Sequence, residues 1–286
     1  MTGVEKMADK TVLDRDDYEE PRCLLCMDAN GRDDKPVSRI DAGRMLARLD
    51  EYFSHNDYEG AERHLKFWLT EAQFGNDKEG ELLIRNEMMG LFRKLSKKDE
   101  AYEALNNALS LLDVLSLDGT EIYGTTHLNA ATVLKAFGEP EKSIDLFRKA
   151  EEAYAKRLDA SDTKFAGLYN NMGLTLTDLG RYGEALDCYR KAVKIMSAAE
   201  NGELDEAITY LNLANLYEAR DGLEKAAEEI NSALEKAENL LNTPSLDRNG
   251  YYAFVCEKCA PTFLYYGWFA FSEELNERAR EIYERT

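Results

Sequence analysis

The sequence predicts an all-α fold built from repeated helical hairpins. In the clearest unit, residues 168–195, apolar side chains recur every three or four positions, which is the spacing of one helix face. Gly180 lies between two such stretches, where a left-handed residue can end a helix. The pattern returns at intervals of 40 to 42 residues, and only 5 of the 286 residues are proline. An array of similar helical units explains these observations together.

The pattern predicts six units that follow an N-terminal arm. The arm, residues 1–36, is acidic and rich in turn formers, and it has no helical periodicity. We expect it to be irregular, either lying over the first hairpin through Tyr18, Leu24 and Leu25 or forming a tail. The array covers residues 37–286, with units near 38–76, 80–116, 121–158, 163–199, 204–241 and 251–286.

Single residues mark where elements begin. Ser38, with Asp41 three residues later, predicts the N-cap of the first helix. Gly138 followed by Pro140 predicts a turn and the start of a second helix in the third unit. The last unit fits after a longer step of 53 residues, which places Gly267 at a position where two helices pack closely. On the same alignment, Ala279 and Tyr283 belong to its second helix.

Small residues recur where the two helices of a hairpin would touch. In the fourth unit these are Gly173, Ala185 and Ala192, and in the third unit the equivalents are Ala131, Ser143 and Ala150. This alternation of small and large apolar residues over a helix–turn–helix hairpin resembles the tetratricopeptide repeat. The resemblance extends from residue 38 to residue 286 and implies a right-handed solenoid. Its period exceeds the usual one and is similar to that of kinesin light chains and some bacterial arrays, so we expect long helices.

The resemblance also implies that the first helix of each hairpin lines a concave groove that binds peptides. Asn129, Asn171 and Asn212 occupy the same position in three successive units. An amide both donates and accepts hydrogen bonds, so a ladder of amides can hold a peptide backbone of any sequence. Asn residues at this position in kinesin light chains are thought to do this. The alternative is that these side chains simply face water.

Five further residues are predicted to line the groove: Asn170, Asn215, Arg93, Lys94 and Lys135. The three cations would select acidic side chains in a ligand. Three carboxylates oppose them: Glu87, Asp178 and Glu218. The predicted groove is therefore nearly balanced in charge, although the chain as a whole carries a net charge of −19.

Composition disfavours several classes of partner. The excess of 55 acidic over 36 basic residues would repel nucleic acid and anionic membrane surfaces. No segment approaches the roughly 18 uninterrupted apolar residues of a membrane helix, and the first residues do not resemble a secretory signal. The 5 cysteines do not suggest a disulfide scaffold. We therefore expect a cytoplasmic protein with reduced thiols.

Two Cys-x-x-Cys pairs could together supply four thiolates to a zinc ion. Cys23 and Cys26 precede the array, whereas Cys256 and Cys259 lie near its end, so a solenoid would hold the pairs far apart. The alternative is that Cys256 and Cys259 are small buried residues of a helix. We predict no metal and no cofactor.

The sequence contains none of the short motifs that mark a serine nucleophile elbow, a phosphate-binding loop, a dinucleotide site or a zinc protease. We therefore predict a non-catalytic adaptor or scaffold that binds a peptide or a partner helix in the groove. One alternative is a thiol or metal module that uses the Cys-x-x-Cys pairs. Another is a structural protein that self-associates through the aromatic residues of the last unit, and the oligomeric state stays open.

Overall fold

The computed structural model describes residues 36–285, and within them twelve α-helices and no strand are present, which confirms the all-α prediction. The arm, including Cys23 and Cys26, lies outside the described residues apart from Pro36. The helices are α1 (Ala42–Ser54), α2 (Tyr58–Phe74), α3 (Lys78–Lys94), α4 (Lys98–Val114), α5 (Glu121–Ala136), α6 (Pro140–Ala155), α7 (Thr163–Asp178), α8 (Tyr182–Met196), α9 (Glu203–Asp221), α10 (Ala227–Leu241), α11 (Gly250–Tyr265) and α12 (Phe269–Tyr283).

The helices pack as consecutive antiparallel pairs. Each odd-numbered helix contacts the even-numbered helix that follows it, and from α2 to α9 each even-numbered helix contacts the next odd-numbered one. From α3 to α11, successive odd-numbered helices also contact one another, and they do so more extensively than successive even-numbered helices. The odd-numbered helices therefore form one layer of a solenoid, and the array curves toward that layer.

Glycine and proline set the turns where the sequence predicts them. Gly180 and Gly138 adopt φ values of +70° and +87°, which favour glycine, and Pro140 is the first residue of α6. The N-cap prediction is wrong for Ser38. Its backbone N–H donates to the carbonyl of Gly75, which ties this stretch to the end of α2. The cap is Asp41, whose Oδ1 accepts from the backbone N–H of Arg44 at 3.0 Å.

The predicted close packing of small residues is present in the fourth unit. A Cβ atom added to Gly173 would lie 2.7 Å from the ring of Tyr189, so only glycine lets α7 and α8 approach this closely. Ala185 and Ala192 of α8 are fully buried. Glycine at one position of α7 thus makes room for a fully buried tyrosine of α8.

The predicted register of the last unit is wrong. Gly267 lies in the turn between α11 and α12 with φ +85°, rather than within a helix. The close-packing position is Ala260, whose carbonyl accepts a 2.8 Å hydrogen bond from Oγ of buried Ser272. Ala260 follows Ala214 by 46 residues, and the additional length falls in the loop before α11. A periodic sequence pattern does not reveal where within a repeat the additional residues are inserted.

Replacing Gly173 with leucine should therefore destabilise the array. The new side chain must displace the Tyr189 ring from a packed core, which typically costs about 1–3 kcal/mol of unfolding free energy. Gly183→Leu in α8 is the matched control, because a Cβ atom at Gly183 meets nothing within 4 Å. Denaturant titration followed by circular dichroism measures both variants. Equal stability of the two would contradict this account of the hairpin.

Candidate functional site

The face of the odd-numbered layer that points away from the even-numbered helices carries a series of asparagines. We call it the inner surface and define it by Asn86, Asn129, Asn170, Asn171 and Asn212. These five side chains are half-buried. Helices α3, α5, α7 and α9 supply them, and each of these helices contacts the next one in the layer.

A polar cluster joins α3 to α5. Asn86 Nδ2 donates to Oγ1 of Thr126 at 3.0 Å, and Asn129 Nδ2 donates to Oδ1 of Asn86 at 2.9 Å. Thr126 is fully buried, so this bond satisfies a hydroxyl that water does not reach. Asn86 therefore holds the amide of Asn129 in one orientation.

The same arrangement joins α7 to α9. Asn170 Nδ2 donates to Oγ1 of the buried Thr209 at 2.8 Å, and Asn212 Nδ2 donates to Oδ1 of Asn170 at 3.3 Å. Asn170, which the sequence predicts in the groove, thus acts as a bridge between two helices. Its place is equivalent to that of Asn86, which the sequence analysis missed.

The junction between α5 and α7 is apolar instead. Leu128 and Leu168 stand at the positions that Asn86 and Thr126 occupy one repeat earlier. Leu168 is fully buried, and Leu128 packs against the same hydrophobic cluster. Asn171 therefore has no amide partner across the junction, and its Nδ2 donates within its own helix to the Gly167 carbonyl at 2.9 Å. Asn and Leu alternate at this position of successive repeats, and this alternation is the sequence pattern from which the role of Asn86 could have been predicted.

The three amides of the predicted ladder share one chemical feature. The Nδ2 atoms of Asn129, Asn171 and Asn212 each donate one bond within the protein. Their Oδ1 atoms accept no hydrogen bond from any residue between 36 and 285. Each amide keeps one acceptor and one N–H, the pair of groups that a peptide backbone complements.

The predicted cations have different surroundings. Lys135 Nζ pairs with Oδ2 of Asp178 at 3.2 Å, and Lys94 Nζ lies 4.3 Å from the ring centre of Tyr58. Arg93 forms no ion pair with the part of the chain that the structure describes, and partial desolvation lowers its pKa. Burial, reinforced by the charge of Asp50, raises the pKa of Glu87 on the same helix.

The C-terminal end of the inner surface is bound to α11 through tyrosines. The single hydroxyl proton of Tyr266 is shared between Oδ1 of Asn215, at 3.0 Å, and Oε2 of Glu218, at 2.8 Å. Tyr265 donates to Oε1 of the same carboxylate at 2.7 Å, while most of its ring stays exposed. Desolvation and the carboxylate of Glu218 raise the pKa of Tyr266. Asn215 and Glu218 are therefore engaged within the protein.

The second Cys-x-x-Cys pair lies in the core. Cys256 and Cys259 are buried against the last two hairpins. Burial raises the pKa of both thiols, that of Cys259 to about 12, so both are protonated at neutral pH. Among residues 36–285, no group of three or more His, Cys, Asp and Glu side chains could hold a metal ion. These observations favour the interpretation as small core residues.

None of the helices between Ala42 and Tyr283 combines the length and the apolar character that crossing a bilayer demands.

Known proteins resemble this chain in part of its sequence and in its fold. Residues 164–239 match the family model of the tetratricopeptide repeat. Solved structures with a similar fold include BtubC (BKLC) from P. vanneervenii, at 20% identity and TM-score 0.60, covering 72% of this chain and 84% of that one. No curated protein matches the chain in sequence.

Two other solved structures share the fold at lower identity. A kinesin light chain-like protein of Podosopora anserina with nearly identical TPR-like repeats is 16% identical with a TM-score of 0.50, and the match covers 70% of this chain and 94% of that chain. A Rap protein is 15% identical with a TM-score of 0.52, and the match covers 84% of this chain and 74% of that chain. At these identities the similarity shows the fold alone.

The polar junctions allow a direct test of their role. Asn86→Ala leaves the buried hydroxyl of Thr126 and the amide of Asn129 without their partner, so we expect a loss of about 1–3 kcal/mol in unfolding free energy. The double variant Asn86→Leu with Thr126→Leu imitates the apolar junction and should be less destabilised than Asn86→Ala. Asn107→Ala on α4 is the control, because that amide bonds only within its own helix. Denaturant titrations would contradict this account if Asn86→Ala were as stable as the control.

Proposed function

We propose a non-catalytic role in which the inner surface holds an extended peptide segment of a protein partner. The chain carries a match to the tetratricopeptide repeat over residues 164–239. Arrays of this family serve generally as adaptors and scaffolds for other proteins. The observation that carries the proposal is the set of three amides, Asn129, Asn171 and Asn212, on successive helices of one layer. Each offers a free acceptor and a free N–H from a half-buried position.

The spacing of the amides suits an extended backbone. Neighbouring packed helices lie roughly 8–10 Å apart, and an extended peptide rises about 3.3 Å per residue. A peptide that crosses the layer would therefore meet an amide about every third residue. Asn129 and Asn212 are two helix spacings apart, so the ladder would hold about six residues of ligand.

Internal hydrogen bonds prepare two of these amides for binding. Asn86 and Asn170 fix the orientations of Asn129 and Asn212. A side chain that is already ordered loses less conformational entropy when the ligand binds. The array thus presents its acceptors in place, and a peptide N–H needs only to exchange water for an amide oxygen.

Arg93 is the cation that we propose to select acidic side chains in the ligand. Lys135 and Lys94 remain candidates for the same role, but Lys135 already has Asp178 as a partner and Lys94 packs on Tyr58. Arg93 lies on α3, beyond one end of the ladder. An acidic side chain in a ligand would accordingly lie on the α3 side of the six residues held by the amides.

A protein with a similar fold supports a binding role. The Rap protein structure is that of a complex with Competence and Sporulation Factor. A chain of this fold can therefore carry a bound partner, and we propose the same kind of use for the inner surface here.

The ladder is tested by the triple variant in which Asn129, Asn171 and Asn212 become alanine. Three hydrogen bonds that each contribute about 0.5–1.5 kcal/mol are lost, so affinity for a peptide partner should fall by tenfold or more. The partner is obtained by affinity capture on the wild-type chain, and its binding segment is then titrated by calorimetry. Circular dichroism should show unchanged helix content.

A matched triple variant controls for the loss of asparagine as such. Asn106, Asn231 and Asn239 are exposed on even-numbered helices, and their replacement by alanine should leave the affinity unchanged. If the ladder variant retains wild-type affinity, the inner surface does not hold the ligand backbone. The even-numbered helices and the aromatic residues of the last unit then become the places to search.

Arg93→Gln tests the selection of acidic ligands. We expect weaker binding of a ligand peptide that contains Asp or Glu and little change for its Asn/Gln counterpart, because only the first has an ion pair to lose. Arg190→Gln is the control, since this arginine is exposed on α8 and lies outside the inner surface. Calorimetry at low and high salt measures both effects, and equal losses for the two peptides would contradict a selective role for Arg93.

A further inference from the structure

The first hairpin differs from later hairpins on one face, namely the face that packs against the preceding hairpin in later units. In α7, Leu168 and Met172 are buried against the preceding hairpin. The equivalent residues of α1, placed by the equivalence of Leu49 with Gly173, are Arg44 and Arg48, and both are exposed. No described hairpin precedes α1, so this face is open within residues 36–285.

Aromatic side chains surround these arginines. An open cavity of about 420 Å³ lies between α1 and α2, and we call it the end pocket. The side chains that line it include Arg44, Arg48, Glu51, Tyr52, Phe67 and Trp68.

The end pocket combines positive charge with ring surface. The guanidinium of Arg48 lies 4.9 Å from the ring centre of Tyr52 and pairs with Glu51, whereas Arg44 has no ion pair in the described part of the chain. Phe67 is 57% exposed and meets Trp68 edge to face. Such a pocket suits a ligand that carries both carboxylates and an aromatic ring.

We propose that residues 14–20 of the same chain, DRDDYEE, bind the end pocket. Five of these seven residues are acidic, and Tyr18 stands between Asp17 and Glu19. Their carboxylates complement Arg44 and Arg48, and the Tyr18 ring complements the exposed ring of Phe67 and the half-buried ring of Trp68. The occupant is therefore an acidic and aromatic segment that the chain itself carries.

The connection is long enough. The chain joins the array at Val37, whose N–H donates to the Gly75 carbonyl at the end of α2. The 16 residues between Glu20 and Val37 can span up to about 55 Å when extended. Helix α2 is only about 25 Å long, so the segment reaches every part of the end pocket. Covalent linkage supplies a high effective concentration, and weak contacts are enough to hold the segment.

Trp68 provides the readout. The chain has 2 tryptophans, and Trp268→Phe leaves Trp68 as the single tryptophan, whose emission can be excited selectively. In that background, acrylamide quenching reports how open the end pocket is. Replacing the five acids of residues 14–20 by lysine should raise the quenching constant about twofold, because the loss of exposed ion pairs releases the segment.

Charge exchange makes the test specific. Arg44→Glu with Arg48→Glu should raise the quenching constant equally, and combining it with the lysine variant should restore the original protection. The control pair Arg148→Glu and Arg190→Glu, exposed on α6 and α8, should change nothing. Replacements in residues 14–20 leave the described helices untouched, so misfolding of the array does not confuse the result.

Two outcomes would overturn the proposal. If the wild-type chain and the lysine variant are quenched equally, residues 14–20 do not cover the pocket. If protection depends on protein concentration, the segment comes from a second copy, and binding within one chain is wrong.

Discussion

The array depends on the close approach of two helices within each hairpin. At Gly173 the backbone of α7 comes so near to Tyr189 that even a Cβ atom would collide with the ring. A fully buried tyrosine then fills the space between the helices. Ala260 has the same role in the last hairpin, where its main-chain carbonyl accepts a hydrogen bond from Ser272. Small residues at this position set the hairpin geometry, and that geometry decides how successive odd-numbered helices meet.

Where those helices meet, stability and the proposed binding rely on the same side chains. Asn86 and Asn170 satisfy the buried hydroxyls of Thr126 and Thr209 and also hold the neighbouring amides. A polar junction costs free energy if any member lacks a partner, so each of these clusters is specified as a unit. The apolar junction at Leu168 shows that the fold does not require polarity there. We therefore propose that the polar junctions orient the amides of the ladder as well as packing the helices together.

The fold could be predicted from the sequence because helix periodicity and small residues repeat, and because Gly180 and Pro140 act locally. Ser38 and Gly267 were misplaced because their roles depend on distant contacts and on the length of one loop. The sequence shows that the ladder asparagines occupy equivalent positions in successive repeats. It does not show which residues bond to them within the protein. Asn86 bonds to residues 40 and 43 positions away, and only the packing of α3 on α5 brings them together.

The two ends of the described array indicate which surface remains for a partner. At the first hairpin, Arg44 and Arg48 stand where later helices bury apolar side chains. At the last hairpin, Glu257 has the place of Asn170, and Arg280 and Glu284 are exposed beside it. A further copy stacked on either end would have to bury these charges, which is unfavourable without matched partners. Charged ends of this kind are typical of capping repeats and oppose growth by stacking. The inner surface, with three amides that retain unused hydrogen-bonding groups, is consequently the face that we propose for another protein.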